Sequence, residues 1–138
     1  QNRRGVVADF AAAHVLPRLV GFERAFELLV RASRLSGEQA AQWGLAGRVT
    51  DAEKVLETAL EIAADLAANC APLVMAMHKR MLWQGPDLSR SALIELETRA
   101  LHFSMQLPDA IEGGVAWVER RTPRWHAEVS RNWPDFMN

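Results

Sequence analysis

The carboxylate of Asp9 stands directly after Gly5-Val6-Val7-Ala8 and just before an apolar helical pattern that reaches Pro17-Arg18-Leu19. A short acidic side chain suits two tasks there. Its oxygens can accept the first unpaired backbone N–H groups of a helix, and the same carboxylate can take or give a proton. The roles are compatible, because the positive end of a helix also favours the ionised form. Other reactive groups are scattered. His14 follows on a largely apolar helix and reads as a packed or partly exposed side chain, while His78, His102 and His126 have no mutual spacing suited to a metal. Cys70 is the only thiol and reads as a buried one. Glu53, Glu57, Glu61 and Asp65 recur every four residues opposite an apolar stripe, as the solvated face of a helix does. The residues alone leave open whether Asp9 caps a helix, moves a proton or does both, and no metal site is predicted.

The elements that must position it are nearly all helical. Asp9 opens a short helix bracketed by Pro17 and Gly21, and Phe22 to Ala32 repeats apolar residues at helical intervals. Ser36 and Gln39 have the form of a capping box for a brief helix that Gly44 ends. Gly47-Arg48-Val49 is the only strand-like fragment. Thr50 and Glu53 repeat the capping-box pattern, after which Leu56, Leu60, Ala63, Leu66 and Cys70 share one helical face. Pro72 fits the first turn of the next helix, Gly85-Pro86 interrupts it, and Asp87 can cap the one after. Leu93, Leu96, Ala100, Phe103 and Leu107 form a narrow stripe suited to packing on another helix, and Pro108 opens a last helix running toward Arg121.

Composition bounds the classes. At 138 residues, 49% apolar and 24% charged, the chain has the length and balance of one globular domain with a core. Its 16 Lys and Arg against 17 Asp and Glu leave a net charge of -1, which gives no overall attraction to nucleic acid or an anionic membrane. A lone cysteine cannot form an internal disulfide, no apolar core of signal-peptide length follows Gln1-Asn2-Arg3-Arg4, and no apolar run has the length of a membrane span. A reducing compartment, the cytoplasm, is the expected location. So many apolar helical faces need a partner layer, yet no alternating strand set supplies one. This predicts that the chain is half of something larger.

Four segments in register carry a resemblance: "RRGVVADFAAAHVLPRLVG", "AFELLVRASRLSGEQAAQWGLAGRVTD", "APLVMAMHKRML" and "DAIEGGVAWVERRTPRW". Together they resemble the carboxyl-terminal half of the crotonase superfamily, the enoyl-CoA hydratases and isomerases. In the second segment the matching residues are Leu35, Ser36, Ala40, Gly44, Leu45 and Val49. The resemblance implies a mainly α chain that forms the carboxyl-terminal part of the α/β crotonase (ClpP/crotonase-like) fold. Residues 1–70 would complete the spiral core and residues 71–138 would form a helical trimerisation segment.

The implied chemistry is enolate formation on a CoA thioester, with coenzyme A as part of the substrate and no separate cofactor. Ordinary hydratases of this family place a catalytic glutamate where Gln1 stands, four residues before Gly5, and a glutamine cannot transfer a proton. Branches similar to dienoyl-CoA isomerases and chlorobenzoyl-CoA dehalogenases place an aspartate at the position of Asp9. The first use it to move a proton and the second as a nucleophile, and an isomerase role is favoured because no aromatic-halide pocket can be read. The carboxyl-terminal helix of the family carries an aromatic and a basic residue that reach the adenine and phosphate end of CoA. These correspond to Trp117 and Arg120, with Arg121 and Arg124 nearby. Core packing is the competing use of Trp117, and a solvated surface charge that of Arg120. The glycine-rich oxyanion segment has no counterpart in these residues, so the isolated chain is expected to turn over little substrate, since one lost oxyanion donor alone costs about 3 kcal/mol.

The resemblance also implies a homotrimer or a hexamer. The stripe from Leu93 to Leu107 and the helix through Ile111, Val115 and Val118 present more apolar surface than so short a chain is expected to cover, so the surplus should be buried between copies. A helical assembly module without catalysis is the alternative reading.

Overall fold

The computed structural model describes residues 2–138. It is built from helices α1 (Ala12–Val20), α2 (Phe22–Leu29), α3 (Gly37–Gln42), α4 (Val55–Asn69), α5 (Pro72–Gln84), α6 (Arg90–Met105), α7 (Pro108–Glu119) and α8 (Val129–Asn132), with no strand among the described residues. Gly47-Arg48-Val49 is irregular, because extended backbone without a neighbouring strand has no ladder to join. The chain divides into a first compact unit ending at Val55 and a second running from Leu56 to Asn138. None of the described helices is by itself long and apolar enough to cross a membrane.

In the first unit α1 packs on α2 across Gly21, which at φ 82 reverses the chain in a conformation open to glycine. Its N–H bonds to the Pro17 carbonyl at 3.0 Å, and its own carbonyl opens α2 by accepting from Ala25 at 3.1 Å. Pro17 lies inside α1 and does not bracket it, so the expected end at proline is corrected: Gly21 alone ends the helix. The capping box at Ser36 is formed in both directions, Gln39 N–H donating to Ser36 Oγ at 3.2 Å and Ser36 N–H to Gln39 Oε1 at 3.0 Å. The second expected box is not. The chain enters α4 through a 3-10 turn over Ala52–Lys54, whose cap is Asp51 and whose hydrogen bond is backbone to backbone.

The second unit holds the larger core. Pro72 occupies the first turn of α5, and Leu73, Met77 and Met81 recur every four residues on its buried face. Burying a leucine or methionine side chain is worth roughly 1.5–3 kcal/mol each. Ser89, not Asp87, caps α6, its hydroxyl accepting from Ala92 N–H at 3.2 Å. Asp87 is spent in the 3-10 turn that Gly85-Pro86 starts, and the extended Leu88 then separates it from the helix. Ala100 is buried, and Leu93, Leu96, Phe103 and Leu107 pack half-buried around it.

That stripe packs into a core that α5 and the chain's own carboxyl terminus build with it. Ala127 and Met137 are buried in the same cluster, Trp133 and Phe136 pack against it, and the Phe103 and Phe136 rings meet edge to face with centroids 5.9 Å apart. The expectation that this stripe lies open for another copy is thus corrected. The apolar surface left uncovered lies elsewhere: α4 buries no residue, with Leu56 70% exposed, and Leu101, Met105, Ile111 and Val118 are exposed on α6 and α7.

Candidate functional site

Asp9 ends an irregular segment, and its carboxylate is exposed with no hydrogen bond or ion pair among the described residues. It does not cap α1. The chain first turns through Phe10 and Ala11, both left-handed at φ 53 and 52, so that Ala11 becomes the capping residue and only the Asp9 carbonyl is engaged, accepting from Ala12 N–H at 3.1 Å. The helix-cap use of this side chain is therefore corrected. A left-handed L-residue costs roughly 1–2 kcal/mol, and here two occur in succession with the Phe10 ring 95% exposed. Such strain concentrates at functional positions. Gln1, where the hydratase glutamate was sought, lies outside the described residues.

Trp117 and Arg120 are brought together at the end of α7, where with Ala116 and Arg121 they line an open concavity of about 450 Å³. The Trp117 side chain is 85% exposed, so the core-packing use is corrected: on α7 it is Asp109 and Ala116 that face inward. Arg120 makes no ion pair among the described residues, although it sits at a demanding place. At φ 55 and ψ 41 it is the left-handed residue of a Schellman turn, with Arg120 N–H donating to the Trp117 carbonyl at 3.3 Å and Arg121 N–H to that of Ala116 at 3.1 Å.

Three residues that the sequence did not single out build the ground beneath this turn. Arg121 donates through Nη1 and Nη2 to the two oxygens of Glu112 at 2.6 and 3.0 Å, and through Nε to Glu119 at 2.6 Å. Glu112 also accepts the Arg124 N–H at 2.6 Å. The Arg121 guanidinium, followed by that N–H, pulls the Glu112 carboxyl down from its usual 4.5 to about 2, and the two glutamates raise the guanidinium in turn. Asp109, 4% exposed at the start of α7, accepts the N–H groups of His126 and Ala127 at 2.7 and 3.1 Å. The only available signal was acidic residues on a helix followed by arginines, which is too common to single them out.

The remaining candidates stay apart. His14, His78, His102 and His126 are exposed, Cys70 is half-buried, and Glu53, Glu57, Glu61 and Asp65 are exposed as the solvated face they were read to be. Among the described residues no group of three or more His, Cys, Asp or Glu could hold a metal ion.

The enoyl-CoA hydratase/isomerase family profile matches residues 1–128. The chain belongs to the enoyl-CoA hydratase/isomerase family. It is 33% identical over 129 residues to a carnitinyl-CoA dehydratase of Proteus mirabilis, which takes in 88% of this chain and 48% of that protein. An enoyl-CoA hydratase of Alternaria alternata is 34% identical over 124 residues, 89% of this chain and 42% of that protein. The crystal structure of a probable enoyl-CoA hydratase/isomerase from Mycobacterium abscessus superposes with a TM-score of 0.89 at 41% identity, covering 93% of this chain and 51% of that one. This chain spans about half the length of the relatives it matches, and its helices correspond to the helical carboxyl-terminal portion of the crotonase fold.

Proposed function

We propose that the chain is the carboxyl-terminal part of an acyl-CoA-processing enzyme that forms an enolate on a CoA thioester. The observation that carries this reading is the exposed pair of Trp117 and Arg120 on one concavity. An indole face suits adenine and a forked guanidinium suits phosphate. Asp9 is the acid/base residue: its unpartnered carboxylate can take a proton from the carbon next to the thioester carbonyl and return it elsewhere along the acyl chain. That shift of a proton is an isomerisation, and a single carboxylate suffices for it, whereas adding water across a double bond ordinarily uses two. The enolate oxygen needs fixed N–H donors, which the rest of the protein would supply. Coenzyme A enters as part of the substrate, with no separate cofactor, in a cytoplasmic homotrimer or hexamer.

The test is exchange of the α-protons of a saturated acyl-CoA in deuterated water, followed by NMR on the whole protein containing this chain. Asp9→Asn should slow exchange by at least about a hundredfold while leaving stability unchanged, because the carboxylate holds nothing in the fold. Exchange at the wild-type rate would remove Asp9 from the chemistry.

A further inference from the structure

Arg120 occupies the backbone position at which a Schellman turn ordinarily carries glycine. A side chain with a Cβ is disfavoured in that conformation, and a strained residue persists only where its surroundings over-determine it. Those surroundings are visible. Arg121 follows immediately, and its fork is held by Glu112 from one turn of α7 and by Glu119 from the last residue of that helix. Glu112 in turn ties down the Arg124 N–H beyond the turn. With its donors on two carboxylates, Arg121 is taken up by structure, while its neighbour Arg120 has no ion pair among the described residues and lines the concavity with Trp117.

We infer that Glu112 and Arg121 are positioning residues: their bidentate pair locks residue 120 in the left-handed turn, so that its guanidinium is presented to the concavity as a phosphate-binding group. The inference rests on the CoA contact proposed above and assigns the work between adjacent arginines. Arg121 sets the backbone and Arg120 meets the ligand. Without the clasp, residue 120 relaxes to an ordinary right-handed or extended conformation and its side chain leaves the concavity.

The whole protein containing this chain is titrated calorimetrically with coenzyme A and with dephospho-CoA, which differs only by the 3′-phosphate, while backbone carbon shifts report the conformation of residue 120. The wild-type chain should prefer coenzyme A by about tenfold, the value of one charge-assisted contact, and Arg120→Ala should abolish the preference. Glu112→Gln should abolish most of it too, with loss of the left-handed shift pattern at residue 120, although Arg120 itself is untouched. Arg121→Lys keeps the charge but cannot form the fork; it is the milder variant should Glu112→Gln disturb folding, and it should show the same two losses. If Arg120→Ala abolishes the preference and the clasp variants retain it, the positioning role is overturned and the CoA contact stands. If Arg120→Ala retains the preference, the CoA contact itself is refuted, and the purpose of the clasp with it.

Discussion

Replacing Asp109 by alanine should destabilise the second unit by about 3 kcal/mol. Its carboxylate is 4% exposed and accepts two backbone N–H groups, those of His126 and Ala127, at 2.7 and 3.1 Å. A hydrogen bond to a charged partner is worth about 1.5–3 kcal/mol, and the low end is apt because both donors are neutral amides. Alanine also leaves the buried Ala127 N–H unsatisfied and removes a negative charge from the first turn of α7, which is worth roughly 0.5 kcal/mol. Asp109→Asn keeps the shape and one acceptor oxygen but turns an amide N–H toward one of the donors, so about half the loss is expected. The bonds pin the segment that leads to Trp133, Phe136 and Met137, the residues that close the core. Urea unfolding is the assay. With a slope of about 1.5 kcal/mol per molar, a 3 kcal/mol loss lowers the midpoint by about 2 M, and hydrogen exchange should show the amides of residues 126 and 127 losing protection. A loss under about 1 kcal/mol in Asp109→Ala, with both amides still protected, would refute the reasoning, since it requires the carboxylate to hold that segment.

Two further outcomes follow from the same unit. The Glu112 carboxyl is held at about 2 against its usual 4.5, so its contribution to stability is complete above about pH 4.5 and is lost as pH falls from there toward 2; Glu112→Gln should unfold with a flatter acid profile over that window, and a profile parallel to wild type would contradict the pairing with Arg121. Phe103→Ala should cost about 2 kcal/mol, less than for a fully buried ring, and a double-mutant cycle with Phe136→Ala should show coupling of about 1 kcal/mol from the edge-to-face contact. Additive losses would mean that the carboxyl terminus does not close the α6 stripe.

Much of the secondary structure was legible because its causes lie within a few residues. Ser36 and Gln39 satisfy each other's backbone across one turn, Pro72 and Pro108 sit where a missing N–H costs nothing, and Gly21 stops α1 by adopting a φ of 82. Where two local signals competed, the reading failed: Ser89 outranked Asp87 because the 3-10 turn at Gly85–Asp87 consumed the aspartate, and Phe10 and Ala11 turned left-handed and separated Asp9 from its helix. No residue type there announces that conformation, since neither is glycine.

By itself the sequence determined the helical class and the family, because periodicity, caps and motif spacing are properties of short segments. Tertiary structure alone decided which apolar face is covered and which charge is spent. Leu93, Leu96 and Phe103 read as an interface until they joined the core built with α5 and the carboxyl terminus, where Phe103 meets Phe136, thirty-three residues further on. Core packing and ligand contact both stayed open for Trp117 until α7 turned Ala116 and Asp109 inward. Arg120 and Arg121 are adjacent and chemically identical, yet a carboxylate nine residues before Arg121, at Glu112, takes that one, while Arg120 has no ion pair among the described residues. Burial and pairing are settled by what arrives from elsewhere in the chain, and that arrival leaves no mark in the local pattern of residues.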